Sequence, residues 1–202
     1  MSKALFVALE AQPGREEEIA EFLRAALGPV QAEPETRNWY AVRFNDANFA
    51  IFDTFPGAAG QIKHLLGKVG RALMLKSLTA LESVPDIESA ELIAAKPFTQ
   101  GPAPALALYV PLLAREGKAQ VLANHLKGAA AMVADEPGTS AWYALDLGGG
   151  HFATFNVFPD KPARDAHLAG EVTGALVARA ADLLAHPPEL KGGEVLAAKL
   201  WA

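Results

Sequence analysis

The chain has no cysteine among its 202 residues. This absence excludes disulfide bonds, thiolate nucleophiles, and zinc or iron–sulfur centres held by cysteine. Basic residues are also in the minority, with 18 Lys and Arg against 23 Asp and Glu, and they form no basic stripe. Because binding to a phosphate backbone requires such a stripe, we expect no nucleic acid partner.

Long hydrophobic runs and targeting signals are missing as well. No segment approaches the roughly 20 apolar residues that span a bilayer. The first residues, MSKALFVALEAQ, contain a short apolar run without the pattern of a signal peptide. We therefore expect a cytoplasmic protein with no membrane partner.

Histidine is scarce, and its spacing argues against a metal site. The five histidines include no i, i+4 pair and no HExxH motif. The triple glycine at 148–150 lacks the strand and helix context of a phosphate-binding loop and is predicted to be a hairpin turn.

The chain contains an internal sequence repeat. A hydrophobic fraction of 51% is sufficient for one substantial core or two small ones. When the sequence is shifted by 103 residues, ALFVALEA aligns with ALYVPLLA, FAIFDTFP with FATFNVFP, and SAELIAAK with GGEVLAAK. This internal repeat predicts two copies of one fold, with domains at 1–96 and 106–202 and a proline-containing linker at 97–105.

Each copy has a fixed order of predicted elements. An apolar strand is followed by a helix with a 3.6-residue stripe, two strands, a helical region broken near glycines, and a final strand. In the first copy these elements are predicted at 4–10, from Arg15 to Val30, at 37–44, 48–55, 57–82 and 88–96. The order is that of a ferredoxin-like, or split βαβ, unit with helices on one face of an antiparallel sheet.

The strand FAIFDTF is apolar on both faces, so both faces of the sheet are expected to be buried. We therefore expect an α+β fold of two tandem ferredoxin-like repeats packed sheet to sheet.

The segments PGREEEIAEFL, EPET, WYAV, FAIFDTFP and KHLLGKVGRAL, with their second-copy counterparts, resemble the antibiotic biosynthesis monooxygenase family. That family includes quinol monooxygenases, and its fold is the dimeric α+β barrel. The resemblance implies that this chain is such a dimer fused into one polypeptide, that it acts without a cofactor on a small aromatic, quinol-type substrate, and that a homodimer of the tandem chain is one possible assembly. The haem-degrading branch of the superfamily places an Asn on the first strand and a Trp on the helix after the third strand, and both are missing here.

Two histidines are the predicted catalytic residues. His64 and His167 occupy equivalent positions on the helix after the third strand of each copy, where the family places its cavity. A neutral imidazole can take a proton from a phenol and generate an anion that reacts with oxygen. The alternative is a histidine satisfied by a carbonyl group or water. His125 takes the place of Phe22 in an apolar helix stripe and is expected to pack in the core.

Two aromatic pairs are predicted to shape the substrate pocket. They are Trp39 with Tyr40 and Trp142 with Tyr143. Because neighbours on a strand point to opposite faces, only one residue of each pair can line a given cavity. A purely structural role in the core is the alternative for each aromatic residue.

The copies differ in charge at matched positions, which include Arg43 with Asp146 and Asp53 with Asn156. Asp53 is replaced by Asn156, and both are candidate substrate-binding residues. If Asp53 faces the cavity it could act as a base, whereas Asn156 could only form hydrogen bonds. An exposed carboxylate at a strand end is the alternative. A further alternative for the whole chain is a non-catalytic dimeric α+β barrel that binds a small apolar molecule or a partner subunit.

Overall fold

The computed structural model describes residues 2–201, which form eight strands and six helices. The elements are β1 (Lys3–Glu10), α1 (Glu16–Gln31), β2 (Asn38–Arg43), β3 (Asn48–Phe55), α2 (Ala58–Leu65), α3 (Lys68–Lys76), β4 (Asp86–Lys96), β5 (Leu106–Leu113), α4 (Ala119–Ala134), β6 (Ala141–Gly148), β7 (His151–Phe158), α5 (Lys161–Leu168), α6 (Glu171–Leu183) and β8 (Lys191–Lys199). The predicted element order is confirmed in both copies. Residues 97–105 contain no helix or strand.

The helix boundaries follow from local sequence. Helix α1 begins with Glu16, Glu17 and Glu18 in its first turn, where carboxylates complement the positive end of the helix dipole. Helix α5 begins after Asp160, whose carboxylate accepts a hydrogen bond from the Ala163 amide at 2.9 Å. The predicted break in the long helical region separates α2 from α3 at Gly67, whose backbone is extended.

Unit 1 comprises residues 2–90 and 193–201. Its strands β1, β3, β2 and β8 are hydrogen-bonded in that order, and these pairings are antiparallel. Helices α1 and α3 contribute Ile19, Leu23, Val69 and Leu73 to a core that also contains Leu5, Val7, Trp39, Phe49 and Ile51 from the sheet. Complete burial of a side chain of this size contributes about 1.5–3 kcal/mol, so this core holds the helices on the sheet.

Unit 2 comprises residues 91–192 and repeats the arrangement. Its strands are ordered β5, β7, β6 and β4, and its core joins α4 and α6 to the sheet. The β6–β7 hairpin turns through Gly148, Gly149 and Gly150, all with positive φ. These left-handed conformations favour glycine, and they confirm the predicted turn.

The compact units differ from two contiguous halves of the chain in their closing strands. Residues 91–96 of β4 pair with β6 in unit 2, and residues 194–199 of β8 pair with β2 in unit 1. The two closing strands have nearly the same sequence, AELIAAK and GEVLAAK, which suits them to equivalent places. Each unit therefore receives its fourth strand from the opposite half of the chain.

Candidate functional site

In unit 1, the imidazole of His64 lies between two carboxylates. Helix α2 carries His64, whose Nδ1 is 2.5 Å from Oε2 of Glu33, while its Nε2 is 3.0 Å from Oδ2 of Asp53 on β3. The hydroxyl of Thr36 donates to the same Glu33 oxygen at 2.7 Å. We call these residues the acid–histidine cluster. His64 and Asp53 are 6% and 0% exposed, so the inner part of the cluster is shielded from solvent, whereas Glu33 is 23% exposed. Asp53 is not the exposed strand-end carboxylate of the alternative interpretation.

Burial and the neighbouring carboxylates have opposite effects on the pKa of His64. Burial disfavours the imidazolium of His64, but Asp53 and Glu33 outweigh that effect and raise the pKa of His64 to about 9. Burial also raises the pKa of the Asp53 carboxyl, and the neighbouring imidazole works against that rise. His64 is therefore a cation near neutral pH and cannot accept a substrate proton there. This charge state differs from the neutral imidazole expected from the sequence.

The outer edge of the acid–histidine cluster borders a surface pocket of about 330 Å³. Helix α1 ends here, and the loop that follows it supplies Glu33, Pro34, Glu35 and Thr36 to the wall. Lys199 closes the helix end, because its Nζ donates to the carbonyls of Val30 at 3.0 Å and Glu33 at 2.5 Å.

Unit 2 repeats the cluster with one acid fewer. Nδ1 of His167 lies 2.6 Å from Oε2 of Glu136, which also accepts a 2.6 Å hydrogen bond from Thr139. Asn156 replaces the second acid, so His167 has one carboxylate partner instead of two. Lys96 donates to the Val133 and Glu136 carbonyls, as Lys199 does in unit 1.

His167 lines two hollows of unit 2. One is a surface pocket of about 430 Å³ that also includes Glu136 and Thr139. The other, which we call the inner cavity, has a volume of about 240 Å³ and lies between the sheet and helices α4 and α6. Its wall is mainly apolar, and its polar side chains are those of His125, Trp142, Thr154, Asn156, His167 and Thr173. A mainly apolar wall with a few convergent polar groups is typical of small-molecule sites.

The predicted aromatic pairs divide between the two faces of each sheet. Trp39 and Trp142 lie in the cores beneath the helices and are 0% and 1% exposed. Trp142 also lines the inner cavity. Tyr40 points to the opposite sheet face, where its ring stacks on Phe52 with centroids 6.2 Å apart. Tyr143 alternates with Trp142 in the same way and is also buried. The structure thus brings the tryptophans, and not the tyrosines, to the side of the histidines.

The other cluster residues were visible in the sequence as repeats but were not predicted as site residues. Glu33, Thr36 and Lys199 each recur at an offset of 103, as Glu136, Thr139 and Lys96 do in the other copy. The signal was the repeated EPET and EPGT motif, whose carboxylate reaches the histidine only because the helix ends beside it. His125 was expected to pack in the core, and it lines the wall of the inner cavity instead.

Two absences can be stated for residues 2–201. No group of three or more histidine or acidic side chains there is arranged to hold a metal ion. No helix in the same range is long and apolar enough to cross a membrane.

Comparisons by sequence identify no relative: no family model matches the chain, and no curated protein matches it either. Comparisons by structure find proteins with a similar fold. A "putative monooxygenase" from Fusobacterium nucleatum matches with a TM-score of 0.86 at 12% identity, over 98% of this chain and 94% of that one. An anthrone oxidase-like protein matches at 0.66 and 15% identity, over 98% and 92%. A Listeria monocytogenes ferredoxin-fold protein related to antibiotic biosynthesis monooxygenases matches at 0.58 and 7% identity, over 96% and 94%.

Because the sequence identities are so low, these structural matches establish a shared fold and nothing further. The resemblance to the antibiotic biosynthesis monooxygenases is thus confirmed at the level of architecture. The protein has the predicted fold class: α+β, with two tandem ferredoxin-like repeats of the dimeric α+β barrel type.

Proposed function

We propose that this protein is a cofactor-independent monooxygenase that oxidises a small aromatic, quinol-type compound in the inner cavity of unit 2. The observation that carries the proposal is the position of His167, which lies in the cavity wall and has one ring nitrogen held by a carboxylate. The fold shared with monooxygenase-like proteins supports the reaction class.

His167 is the better candidate base of the two histidines. Glu136 lies beside Nδ1, so in the neutral imidazole Nδ1 carries the hydrogen and Nε2 is left as the acceptor. A carboxylate in this position orients the ring and stabilises the imidazolium that forms when the base accepts a proton. His64 has a carboxylate beside each nitrogen, which leaves neither one for a substrate.

The chemistry begins with transfer of the phenolic proton to Nε2 of His167. The electron-rich phenolate then gives one electron to O₂, and the resulting radical pair combines at a ring carbon that carries hydrogen. The peroxide anion that forms takes the proton back from Nε2 of His167, which gives the hydroperoxide and restores the neutral base. Loss of water from the hydroperoxide leaves the carbonyl of a hydroxyquinone. One oxygen atom enters the product and the other leaves as water, so a hydroquinone and O₂ balance without another reductant. The mainly apolar wall limits the contact of the substrate with water, and Asn156 and Thr154 are polar side chains of the same wall.

Oxygen uptake with a panel of hydroquinones and anthrones tests the proposal. We expect turnover above the uncatalysed rate, incorporation of one atom from ¹⁸O₂ into the product, and a loss of about 100-fold or more in His167→Ala, which is typical for removal of a general base. His151→Ala is the matched control, because His151 is exposed at a hairpin.

Uptake no faster than the uncatalysed reaction, or uptake unchanged in His167→Ala, would contradict the proposal. Binding of an aromatic compound without turnover would favour the second candidate, a non-catalytic barrel that holds a small apolar molecule. The inner cavity itself is the observation that supports this second candidate.

A further inference from the structure

The polar side chains of the inner cavity lie in its buried part. Trp142, Thr154 and His167 line the wall, and all three are buried. They carry an indole N–H, a hydroxyl and an imidazole, and a few polar groups of this kind orient a ligand in a mainly apolar site. The polar end of a ligand therefore belongs in the interior of the cavity.

The opening of the same cavity is apolar. Val177 on α6 and Leu190, just before β8, line the wall and are 61% and 53% exposed. A side chain that lines a cavity and is also largely exposed lies where the cavity meets the solvent. Pro188, from the same segment as Leu190, adds a third apolar side chain to the wall. We call Val177, Pro188 and Leu190 the apolar rim.

The wall of the inner cavity provides no acid, lysine or arginine. Within residues 2–201, no Asp, Glu, Lys or Arg side chain lines it. His125 on α4 is partly exposed, but burial, with a smaller contribution from the charge of Arg179, lowers its pKa, so its ring is neutral near neutral pH. The hydroxyl of Thr173 already donates to the carbonyl of His167 at 2.9 Å. A substituent that passes through the opening is therefore favoured when it carries no charge.

The volume of the inner cavity limits how much of a ligand it encloses. Its volume of about 240 Å³ is below the roughly 300–1,000 Å³ of pockets that enclose a drug-sized ligand. A substituted aromatic ring occupies most of such a space, so a longer substituent leaves through the opening. There it covers the apolar rim, and removal of apolar surface from water is favourable.

Unit 1 provides a matched comparison. Met74 and Ile87 stand at the positions equivalent to Val177 and Leu190, and they too are exposed. Two wall positions that are polar in unit 2 are apolar in unit 1, where their side chains pack in the core. Unit 1 therefore has an equivalent exposed pair with a less polar interior beneath it.

We propose that the preferred substrate is a hydroquinone with an uncharged aliphatic chain, whose ring occupies the inner cavity and whose chain covers the apolar rim. The polarity of the wall carries this inference, because its buried part holds polar groups and its most exposed side chains are apolar. The inference rests on the proposed function for the reactive ring. It adds a chain that the oxidation itself does not require.

Anaerobic calorimetric titration of the full chain with a series of 2-alkylhydroquinones, from methyl to heptyl, tests the inference. The absence of oxygen prevents turnover, so the titration measures binding alone. Complete burial of one methylene group lowers Kd about fourfold. Because the rim leaves part of the chain in contact with water, we expect Kd to fall about twofold for each added methylene until the chain extends past the rim.

Paired variants locate the surface that the chain covers. In the double variant Val177→Ser, Leu190→Ser, the gain for each methylene should fall to about 1.3-fold or less, while the Kd of methylhydroquinone should change by less than about twofold. Both side chains are largely exposed, so the fold should tolerate serine at these positions. The matched control is Met74→Ser, Ile87→Ser, which makes the equivalent changes in unit 1 and should leave the chain-length dependence unaltered.

Equal affinity along the series in the unaltered protein would overturn the inference. A chain-length dependence that persists in the unit 2 variant, or that is lost equally in the unit 1 control, would also overturn it. A dependence located at the rim without oxygen uptake would reject the proposed oxidation and keep the ligand class. Oxygen uptake with methylhydroquinone but no chain-length dependence would keep the oxidation and reject the chain, and no binding of any member would reject both.

Discussion

Nε2 of His64 lies 3.0 Å from Oδ2 of Asp53, and both side chains are buried at the same edge of unit 1. Oε2 of Glu33 lies 2.5 Å from the other ring nitrogen, Nδ1. A buried ion pair of this kind costs desolvation, and removal of one partner leaves an uncompensated charge. The relationship therefore assigns His64 a structural role as the cation that neutralises two acids.

Stability should fall with rising pH through the titration of His64. Its pKa is about 9 in the folded state, against a reference value of 6.5. A raised folded pKa means that the stabilisation is fully present below about pH 6.5 and is lost as the pH rises through about 9. Urea unfolding should show a loss on the order of 3 kcal/mol across this window. The same measurement on His64→Gln should give a much flatter profile, and parallel profiles would contradict this role.

The pKa of His64 should depend on Asp53 more than on any other acid. Hydrogen bonding and charge from Asp53 are the largest effects that raise it, ahead of those from Glu33. Asp53→Asn copies the arrangement of unit 2, so the fold should tolerate it. We expect the pKa of His64, followed by NMR of the ring nitrogens, to drop by one unit or more; ~1.4 kcal/mol of charge interaction corresponds to each unit. An unchanged titration would show that Glu33 alone holds the proton.

The sequence predicted the framework of this site better than its chemistry. The offset of 103 residues and the switch between periods of two and 3.6 were sufficient for the element order, because both depend on local patterns. Glu33 and His64 are 31 positions apart, and only the packing of α2 beside the end of α1 brings them together. The charge of His64 and the exchange of closing strands likewise depend on contacts between distant segments, which no local pattern records.

Lys199 should stabilise unit 1 by capping a helix from another part of the chain. Helix α1 has no basic residue in its last turn, and Nζ of Lys199 donates to the carbonyl of Val30 in that turn and to the carbonyl of Glu33 just after the helix. Cations at a helix C-terminus and hydrogen bonds from charged groups both stabilise. Lys199→Met should lower the free energy of unfolding by about 1–3 kcal/mol. Lys96→Met should act similarly through α4 in unit 2.

The control for Lys199→Met is Lys191→Met. Lys191 makes a 3.5 Å ion pair with Glu189, in which both side chains are largely solvent-accessible. An exposed pair contributes little, so the change should be within about 0.5 kcal/mol. Equal effects of the two substitutions on the free energy of unfolding would show that Lys199 does not stabilise unit 1 by capping α1.

Substitution by alanine should have opposite effects on stability at two glycines. A Cβ at Gly70 would overlap the carbonyl group of Leu65, which is backbone and has little freedom to move aside, whereas a Cβ at Gly128 in α4 would meet nothing within 4 Å. Gly128→Ala should stabilise by about 0.5–1 kcal/mol, because alanine has the higher helix propensity. Gly70→Ala should destabilise by at least about 1–3 kcal/mol, because the junction of α2 and α3 must shift. That junction positions His64 beside Asp53, so Gly70→Ala should also broaden the NMR titration of His64, and Gly128→Ala should leave it unchanged. A destabilised Gly70→Ala variant with an unaltered titration would show that the acid–histidine cluster is held by its own contacts and not by the path of the backbone.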